Sequence, residues 1–328
     1  MNIYDIAKKA NVSIATVSRV LNGSNTVKPA TRDKILQIIK AENYRPNAFA
    51  RGLSTDSAKL AGVICTDLSD AFFAKAASLL QNLLRKQGFT MLLGCSGDTA
   101  HGKQKQIDFM LEKRIDVLFL IGSAFCDTEN MEYLKKVASS VLIITINANC
   151  DSDNVYSIYC DDADATFNAV NTLYKKGHKR IMYIYDSVTP SATAKLSGYI
   201  KGLKENSIYF DKSLVVKTEK SILGGKSVIK NAVSTGIIPD AVITSEDILA
   251  IGAIKGMQEA EIYPTVIGYN NSYLCECTTP TLSSIDNKLE SMCKKGIEVM
   301  NKFLIGEKTD KKYKYSAEII FRETLGED

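Results

Sequence analysis

Within seven residues near the amino terminus the chain places Ser13, Ile14, Ala15, Thr16, Ser18 and Arg19. Ser13 is a good helix cap, so the spacing predicts a helix from about Ile14 to Leu21. Val17, Val20 and Leu21 fall on one face of that helix and are apolar. The other face shows Ile14, Ala15, Thr16, Ser18 and Arg19. A face of this kind suits duplex DNA. Ile14 and small Ala15 near the helix N-terminus allow close approach and contact with a thymine methyl group. Thr16, Ser18 and the helix N-terminus donate to phosphates, and Arg19 reaches a phosphate or a guanine edge.

Such a helix needs neighbours to hold it. Ile3, Ile6, Ala7 and Ala10 have helical spacing after a capping Asn2, and Asn11-Val12 makes a tight connection. Asn22 to Asn25 stops the second helix. Pro29 suits the first turn of a third helix, for which Ile35, Leu36, Ile38 and Ile39 predict a buried stripe. Two helices joined by a short turn, the second with a polar outer face, make a helix-turn-helix. Residues 1–59 hold ten basic and four acidic side chains, a balance of +6, while the whole chain of 328 residues is only +4. A basic head on a slightly acidic body is the charge pattern of a head that meets a polyanion.

At 328 residues the chain is expected to hold two or three domains. Its apolar runs are far shorter than the roughly 20 residues of a membrane span, and its start does not read as a secretory signal. The eight cysteines show no Cys-x-x-Cys pair, and most lie in or beside apolar runs. They are expected to be buried and reduced, in a cytoplasmic protein without a metal site. His178 follows Lys175-Lys-Gly and reads as part of a helix stop. From residue 60 onward, apolar runs at Leu60–Cys65, Met91–Cys95, Val117–Ile121, Val141–Ile146, Ile181–Tyr185, Ala241–Thr244 and Thr265–Ile267 alternate with helical patterns. Alternation of this kind predicts α/β architecture with parallel sheets covered on both faces. The chain shows no Gly-x-Ser-x-Gly, no dinucleotide fingerprint after its first body strand and no complete phosphate-binding loop, so no enzyme and no cofactor are expected. Gly224-Gly225-Lys226-Ser227 is read as a helix start.

The segment from Tyr4 to Gly23, with Thr31-Arg32 and Asn43-Tyr-Arg-Pro-Asn-Ala-Phe-Ala-Arg-Gly-Leu53, resembles the signature of the LacI/GalR family of bacterial transcription regulators. The likeness runs over essentially the whole chain, and the head is most similar to the catabolite control proteins. It implies that Ile14 and Ala15 read bases, that Tyr4, Thr16, Ser18 and Asn22 contact the DNA backbone, and that Arg19 is the recognition-helix arginine. It also implies a hinge helix that includes Asn47, Ala48, Ala50 and Leu53, the leucine wedging into the minor groove. A helix of about seven residues is marginal by itself, so DNA and a second copy would be needed to stabilise it.

The domains expected are a head at 1–45, a hinge and linker at 46–59, and a two-subdomain, doubly wound, periplasmic-binding-protein-like body at 60–328. The subdomains would be roughly 60–160 with 287–308 and 161–284 with 312–328, and Ala317–Arg322 would be a closing strand. The function implied is that of a homodimeric regulator, a repressor of carbohydrate or catabolite genes, acting on a pseudo-palindromic operator under allosteric control.

Ligands in such bodies bind at the carboxyl ends of strands. That selects Asp67 to Phe73, Gly122-Ser123, Asn147, Cys160-Asp161, Lys195, Ser245-Glu246-Asp247 and Tyr269-Asn270, with Phe73, Ser123, Asp161, Lys195, Glu246, Asp247 and Asn270 as the candidate effector contacts. Three positions depart from the sugar-binding pattern of the family. Lys195 stands where an arginine is usual, Glu246-Asp247 where an Asn-Asp pair is usual, and Asn270 where an aspartate is usual. Lysine lacks the planar fork of arginine, and the two acids resist a phosphorylated ligand unless they are paired. The resemblance implies one further partner, a serine-phosphorylated carrier protein docking near the hinge and the last long helix. In this sequence that helix, about Leu289–Leu304, offers Lys294, Lys295 and Lys302 but no arginine, and Arg45 matches another docking position.

Overall fold

The computed structural model describes residues 3–21, 26–41, 59–152 and 154–326. The chain divides into two compact units, residues 1–60 with 114–116, and 61–113 with 117–328.

The described part of the head is three helices, α1 (Ile3–Ala10), α2 (Ile14–Leu21) and α3 (Pro29–Ala41). Ile6, Ala7, Ala10, Val17, Val20 and Ile35 form its buried centre, with Val12, Val27, Ile38 and Ile39 packed against them. The turn between α1 and α2 closes because Asn11 takes a left-handed conformation at φ 54°, which asparagine tolerates better than most residues. The Val12 amide then reaches the Ala7 carbonyl at 3.0 Å. Leu36 departs from the expected stripe: it is 46% exposed, because positions 35, 38 and 39 already share the inward face of α3 and position 36 points about 100° away.

The body has two six-stranded sheets. The first contains β1 (Leu60–Cys65), β2 (Thr90–Cys95), β3 (Val117–Ile121), β4 (Leu142–Ile146) and β5 (Val155–Cys160), interleaved with α4 (Ala71–Lys86), α5 (Ala100–Glu112) and α6 (Thr128–Val137). The second contains β6 (Ile181–Tyr185), β7 (Val215–Lys217), β8 (Ala241–Thr244), β9 (Thr265–Tyr269) and β10 (Ser283–Asp286), with α7 (Asp162–Lys175), α8 (Pro190–Glu205), α9 (Ile222–Ser234) and α10 (Asp247–Glu259). The chain then returns to the first subdomain through α11 (Leu289–Leu304) and β11 (Lys312–Tyr315), and crosses back for β12 (Glu318–Ile320).

Strand order is β11-β5-β4-β3-β1-β2 in the first sheet and β12-β10-β9-β8-β6-β7 in the second. The central pairs are parallel, while β12 runs antiparallel to β10. β1, β3 and β4 are buried along their whole length, as strands covered on both faces must be. Edge strand β2 is half-exposed. Core residues of α4 and α11 pack on the first sheet, α9 and α10 cover one face of the second, and α7 and α8 cover its other face. Gly225 lets α9 and α10 approach closely, since a Cβ there would sit 2.2 Å from the Leu249 carbonyl oxygen.

Two expectations need correction. Lys312–Tyr315 pairs with β5 in the first sheet and β12 with β10 in the second, so the chain's last crossing lies between 315 and 318, not between 308 and 312. The cysteines are not all reduced and buried. Cys126 and Cys150 form a disulfide, their Cα atoms 5.0 Å apart, and Cys95 and Cys277 are exposed. The pair is hidden in the sequence by a separation of 24 residues; it forms because β3 and β4 are parallel neighbours whose following loops lie side by side.

Candidate functional site

On α2 the polar and apolar faces separate as the sequence requires. The Ser13 hydroxyl accepts the Thr16 amide at 3.2 Å and lies 2.9 Å from the Thr16 hydroxyl. Val17 is fully buried and Val20 nearly so, whereas Ile14 is 40% exposed. Ser13 and Arg19 are exposed and Thr16 partly so. No acid stands in the first turn of α2, so its positive end is unopposed from within the helix. Lys8, Lys9, Lys28, Lys34 and Lys40 are also exposed. The side chains of Tyr4, Ala15 and Ser18, and the whole of Asn22, Asn47, Ala48, Ala50 and Leu53, lie outside the described residues.

In the body, the carboxyl ends of the two sheets face each other across a cavity of about 700 Å³. Phe73, Ser123, Lys195, Glu246 and Asn270 all line it. Phe73 comes from the first turn of α4, whose cap Asp70 accepts the Phe72 amide at 2.8 Å. Phe72 faces the core, and Phe73 packs edge-on against it with ring centroids 5.4 Å apart. Gly122 sits under the Phe73 ring at φ 99°, where a Cβ would come within 2.8 Å of Cε1; a side chain there meets both strain and a clash. Ser123 accepts the Ser191 amide at 3.0 Å, a contact between subdomains.

Lys195, on α8, is 4% exposed. Its ammonium donates to the Ser245 carbonyl at 2.9 Å, lies 3.7 Å from Glu246 and stands 3.6 Å from the centre of the Tyr269 ring. Tyr269 in turn donates to Asp162 at 2.6 Å, and Ser191 donates to the other Asp162 oxygen at 2.5 Å. Burial pushes the Asp162 carboxyl up, against the pull of Lys195. Glu246 accepts from the Asn270 amide at 2.6 Å. Its burial raises it to about 7, opposed by Lys220 and Lys195. Asn270 is held at φ 96° and accepts from Asn287 at 2.9 Å, so its amide is engaged on both sides.

Asp161 and Asp247 have other duties. Asp161 caps α7 through the Asp164 amide at 3.1 Å and pairs with Lys314 at 3.0 Å. Hydrogen bonds from Asp164 and Lys314 outweigh its burial and hold it below the usual range. Asp247 accepts the Ser272 amide at 2.7 Å and the Ser284 hydroxyl at 2.6 Å, which pegs the loop after β9 and strand β10 to the start of α10. It lines a smaller neighbouring cavity of about 220 Å³.

Lys220 was not legible as a site residue. It follows β7 in a loop without a motif, yet it reaches Asp70 at 2.9 Å, Asp186 at 3.7 Å and Glu246 at 3.8 Å. Burial alone would lower its pKa, but Glu246, Asp70 and Asp186 together raise it and keep it charged. Because Asp70 belongs to the first subdomain and the other two acids to the second, Lys220 bridges the cleft. Asn147, at φ 56°, also lines the cavity, and its Oδ1 is buried with no hydrogen-bond partner among the described residues. On α11, Lys294 pairs with Glu290 at 2.7 Å, and Lys295 and Lys302 pair with Glu298 at 2.6 and 2.8 Å. Among the described residues no group of three or more His, Cys, Asp or Glu is placed to hold a metal ion, and no helix is long and apolar enough to cross a membrane.

Comparison with known proteins gives a consistent picture. Residues 2–47 match the family described as bacterial regulatory proteins, lacI family, and residues 170–325 match the periplasmic binding protein-like domain. The chain is 39% identical over 330 residues to an HTH-type transcriptional regulator of Lachnoclostridium phytofermentans, covering 99% of each. It is 30% identical over 318 residues to catabolite control protein A of Priestia megaterium, covering 94% of each. Its fold is like that of the lac repressor dimer bound to operator and the anti-inducer ONPF, with a TM-score of 0.87 at 21% identity over 99% of both chains.

Proposed function

Since the chain belongs to the lacI family of bacterial regulatory proteins, we propose that it is a homodimeric, cytoplasmic repressor of carbohydrate or catabolite genes. Two copies of α2 would read the half-sites of a pseudo-palindromic operator in successive major grooves. Ile14 and Ala15 would meet base edges and Arg19 a guanine or phosphate. Ser13, Thr16, Ser18, Tyr4 and Asn22 would hold the backbone, with Asn47, Ala50 and Leu53 in the minor groove between. The observation that carries this reading is the division of α2 into a buried Val17–Val20 face and an exposed face with Ile14 and Arg19.

We assign the cleft to a small polar effector. Seven carboxylates and four ammoniums line the main cavity, an excess that disfavours a phosphorylated ligand. Lys195 and Lys220 are engaged by Glu246, Asp70 and Asp186, so they hold the site's shape instead of awaiting an anion. Phe73, Ser123 and the Asn147 carbonyl would face a hydroxyl-bearing ligand. Three chain crossings join the subdomains, so a ligand that prefers one arrangement of them shifts the population and, with it, DNA affinity. The lysines of α11 are matched by glutamates of the same helix, which favours the cleft over a phosphorylated protein docked on α11 as the seat of control. No catalytic step is assigned to the body.

Operator anisotropy in the presence of cellobiose, glucose 6-phosphate or a seryl-phosphorylated carrier protein tests the assignment. A neutral sugar is expected to shift operator affinity by roughly 5- to 150-fold, with the sugar phosphate and the carrier inert. A response to the carrier alone would move control away from the cleft.

A further inference from the structure

We propose that the Cys126–Cys150 bond is a thiol–disulfide exchange site that fastens the first-subdomain lip of the cleft, so that an external dithiol loosens this lip by reducing it. The proposal rests on reading the cleft as the effector site and adds a mode of regulation to it.

Cys126 ends the short helical turn Ser123–Cys126 that follows β3, and Cys150 closes the loop after β4. Of the four residues between β3 and Cys126, Gly122, Ser123 and Ala124 face the cleft. Asp127 follows at once, and between β4 and Cys150 lies Asn147; all five line the cavity. The bond therefore ties together the two loops that supply this wall. Each loop is also anchored to its own surroundings. Lys103 donates to the Ala124 carbonyl at 2.7 Å and to Asp127 at 3.1 Å. The Thr145 hydroxyl donates to the Ala148 carbonyl at 2.8 Å, and the Cys150 amide donates to Ser157 at 3.0 Å. Reduction is thus expected to loosen the lip without unfolding the sheet beneath it.

The two cysteines differ in exposure. Cys126 is partly exposed beside exposed Thr128 and Glu129, whereas Cys150 is fully buried. An attacking thiolate would meet Cys126 Sγ, forming a mixed disulfide as the Cys126–Cys150 bond breaks and Cys150 leaves as a thiolate that takes a proton from solvent. The second thiol of the reductant then attacks its own bound sulfur. That step closes the reductant to a disulfide and releases Cys126 as a thiolate, which is protonated in turn. The protein gains two electrons and two protons, and a disulfide of the same class reverses the reaction. Cys65, Cys275 and Cys293 are poor competitors: burial pushes each thiol up to about 12, which keeps it protonated near neutral pH.

The consequence reaches the other subdomain. Ser123, three residues before Cys126, accepts the Ser191 amide across the cleft at 3.0 Å. Ser191 holds Asp162 at 2.5 Å. A loosened 123–127 loop gives up the fixed position of this contact.

Hydrogen exchange and thiol counting on the full chain, air-oxidised or treated with dithiothreitol, test the proposal. Alkylation under denaturing conditions is expected to find six of the eight cysteines free in the oxidised chain and all eight after reduction. Amides of 122–130, 147–152 and 189–193 are expected to exchange about tenfold faster or more after reduction, with 117–121 and 142–146 unchanged. The double variant Cys126→Ser, Cys150→Ser should exchange like the reduced chain and ignore dithiothreitol. Eight alkylated cysteines in the oxidised chain, or equal exchange in both states, would overturn the proposal. Operator binding on the same samples separates the two readings. Operator binding with unresponsive loops removes the redox site alone. Responsive loops in a chain that binds no DNA remove the regulator and keep the fastening.

Discussion

Two regions of this molecule gather charge, and they treat it in opposite ways. On the head, Arg19, Lys8, Lys9, Lys34 and Lys40 stand exposed on helices, and Lys28 just ahead of α3; the inner faces of these helices bury apolar side chains. In the cleft, Lys103 and Lys195 are 3% and 4% exposed, and each meets a carboxylate of the same body. Lys220 is shared among three. Exposed charge of one sign acts at a distance and is tuned by salt. Buried charge matched by its opposite contributes little net attraction for an ion and instead fixes geometry, because breaking a buried pair leaves a desolvated charge behind. The head is thus built to meet a polyanion, and the cleft to hold a defined shape.

Salt gives the widest separation between the two regions. Raising it from about 50 to about 200 mM should lower operator affinity by about 10³-fold or more, while binding of a neutral ligand in the cleft changes little. Equal sensitivity in both titrations would erase the contrast.

A single-residue version comes next. Lys195→Met removes one of the two ammoniums beside Glu246 and the donor to the Ser245 carbonyl, and urea unfolding should show a loss of about 3–5 kcal/mol. Arg19→Ala, on an exposed face, should leave the melting temperature unchanged while weakening operator binding.

Acid–base behaviour sharpens the cleft side. Glu246 is raised to about 7 from its ordinary 4.5 by burial, with Lys220 and Lys195 opposing and Asp186 and Asp70 adding to the rise. The native state therefore keeps a proton that the unfolded chain has released. This contribution to stability is complete below about pH 4.5 and is lost as pH rises to about 7. Calorimetry should find the wild type losing stability relative to Glu246→Gln across that window, and parallel profiles would place Glu246 in contact with water.

The smallest effect expected is local to α2. Ser13→Ala deletes the cap on the Thr16 amide and should cost the head about 1 kcal/mol, read as faster amide exchange in 14–21.

Much of the body was readable because fully buried parallel strands are short apolar runs, as at Val117–Ile121 and Leu142–Ile146. The strands that escaped notice mix polar with apolar residues or are very short. Val155–Cys160 carries Ser157, Ser283–Asp286 opens with two serines, Val215–Lys217 has three residues, and edge strand Lys312–Tyr315 alternates lysine and tyrosine. The cleft was legible where a residue follows a clear strand, as do Ser123, Glu246 and Asn270. It was not legible where topology alone delivers the side chain. Asp161 and Asp162 are neighbours in sequence, yet the first caps a helix at the surface and the second lies beneath Tyr269. Lys220 finds Asp70 from 150 residues away, and no local pattern encodes such a meeting.

The central claim is that α2 reads DNA sequence. It is tested most directly by anisotropy titration at fixed salt, using a palindromic duplex selected by the full chain from a random pool and a scrambled duplex of equal length. The wild type is expected to prefer the selected duplex by about 10³-fold or more, and Arg19→Ala to lose about 10- to 100-fold on that duplex with no change in melting temperature. Equal affinity for the two duplexes, or an Arg19→Ala variant that binds as tightly as the wild type, would contradict it.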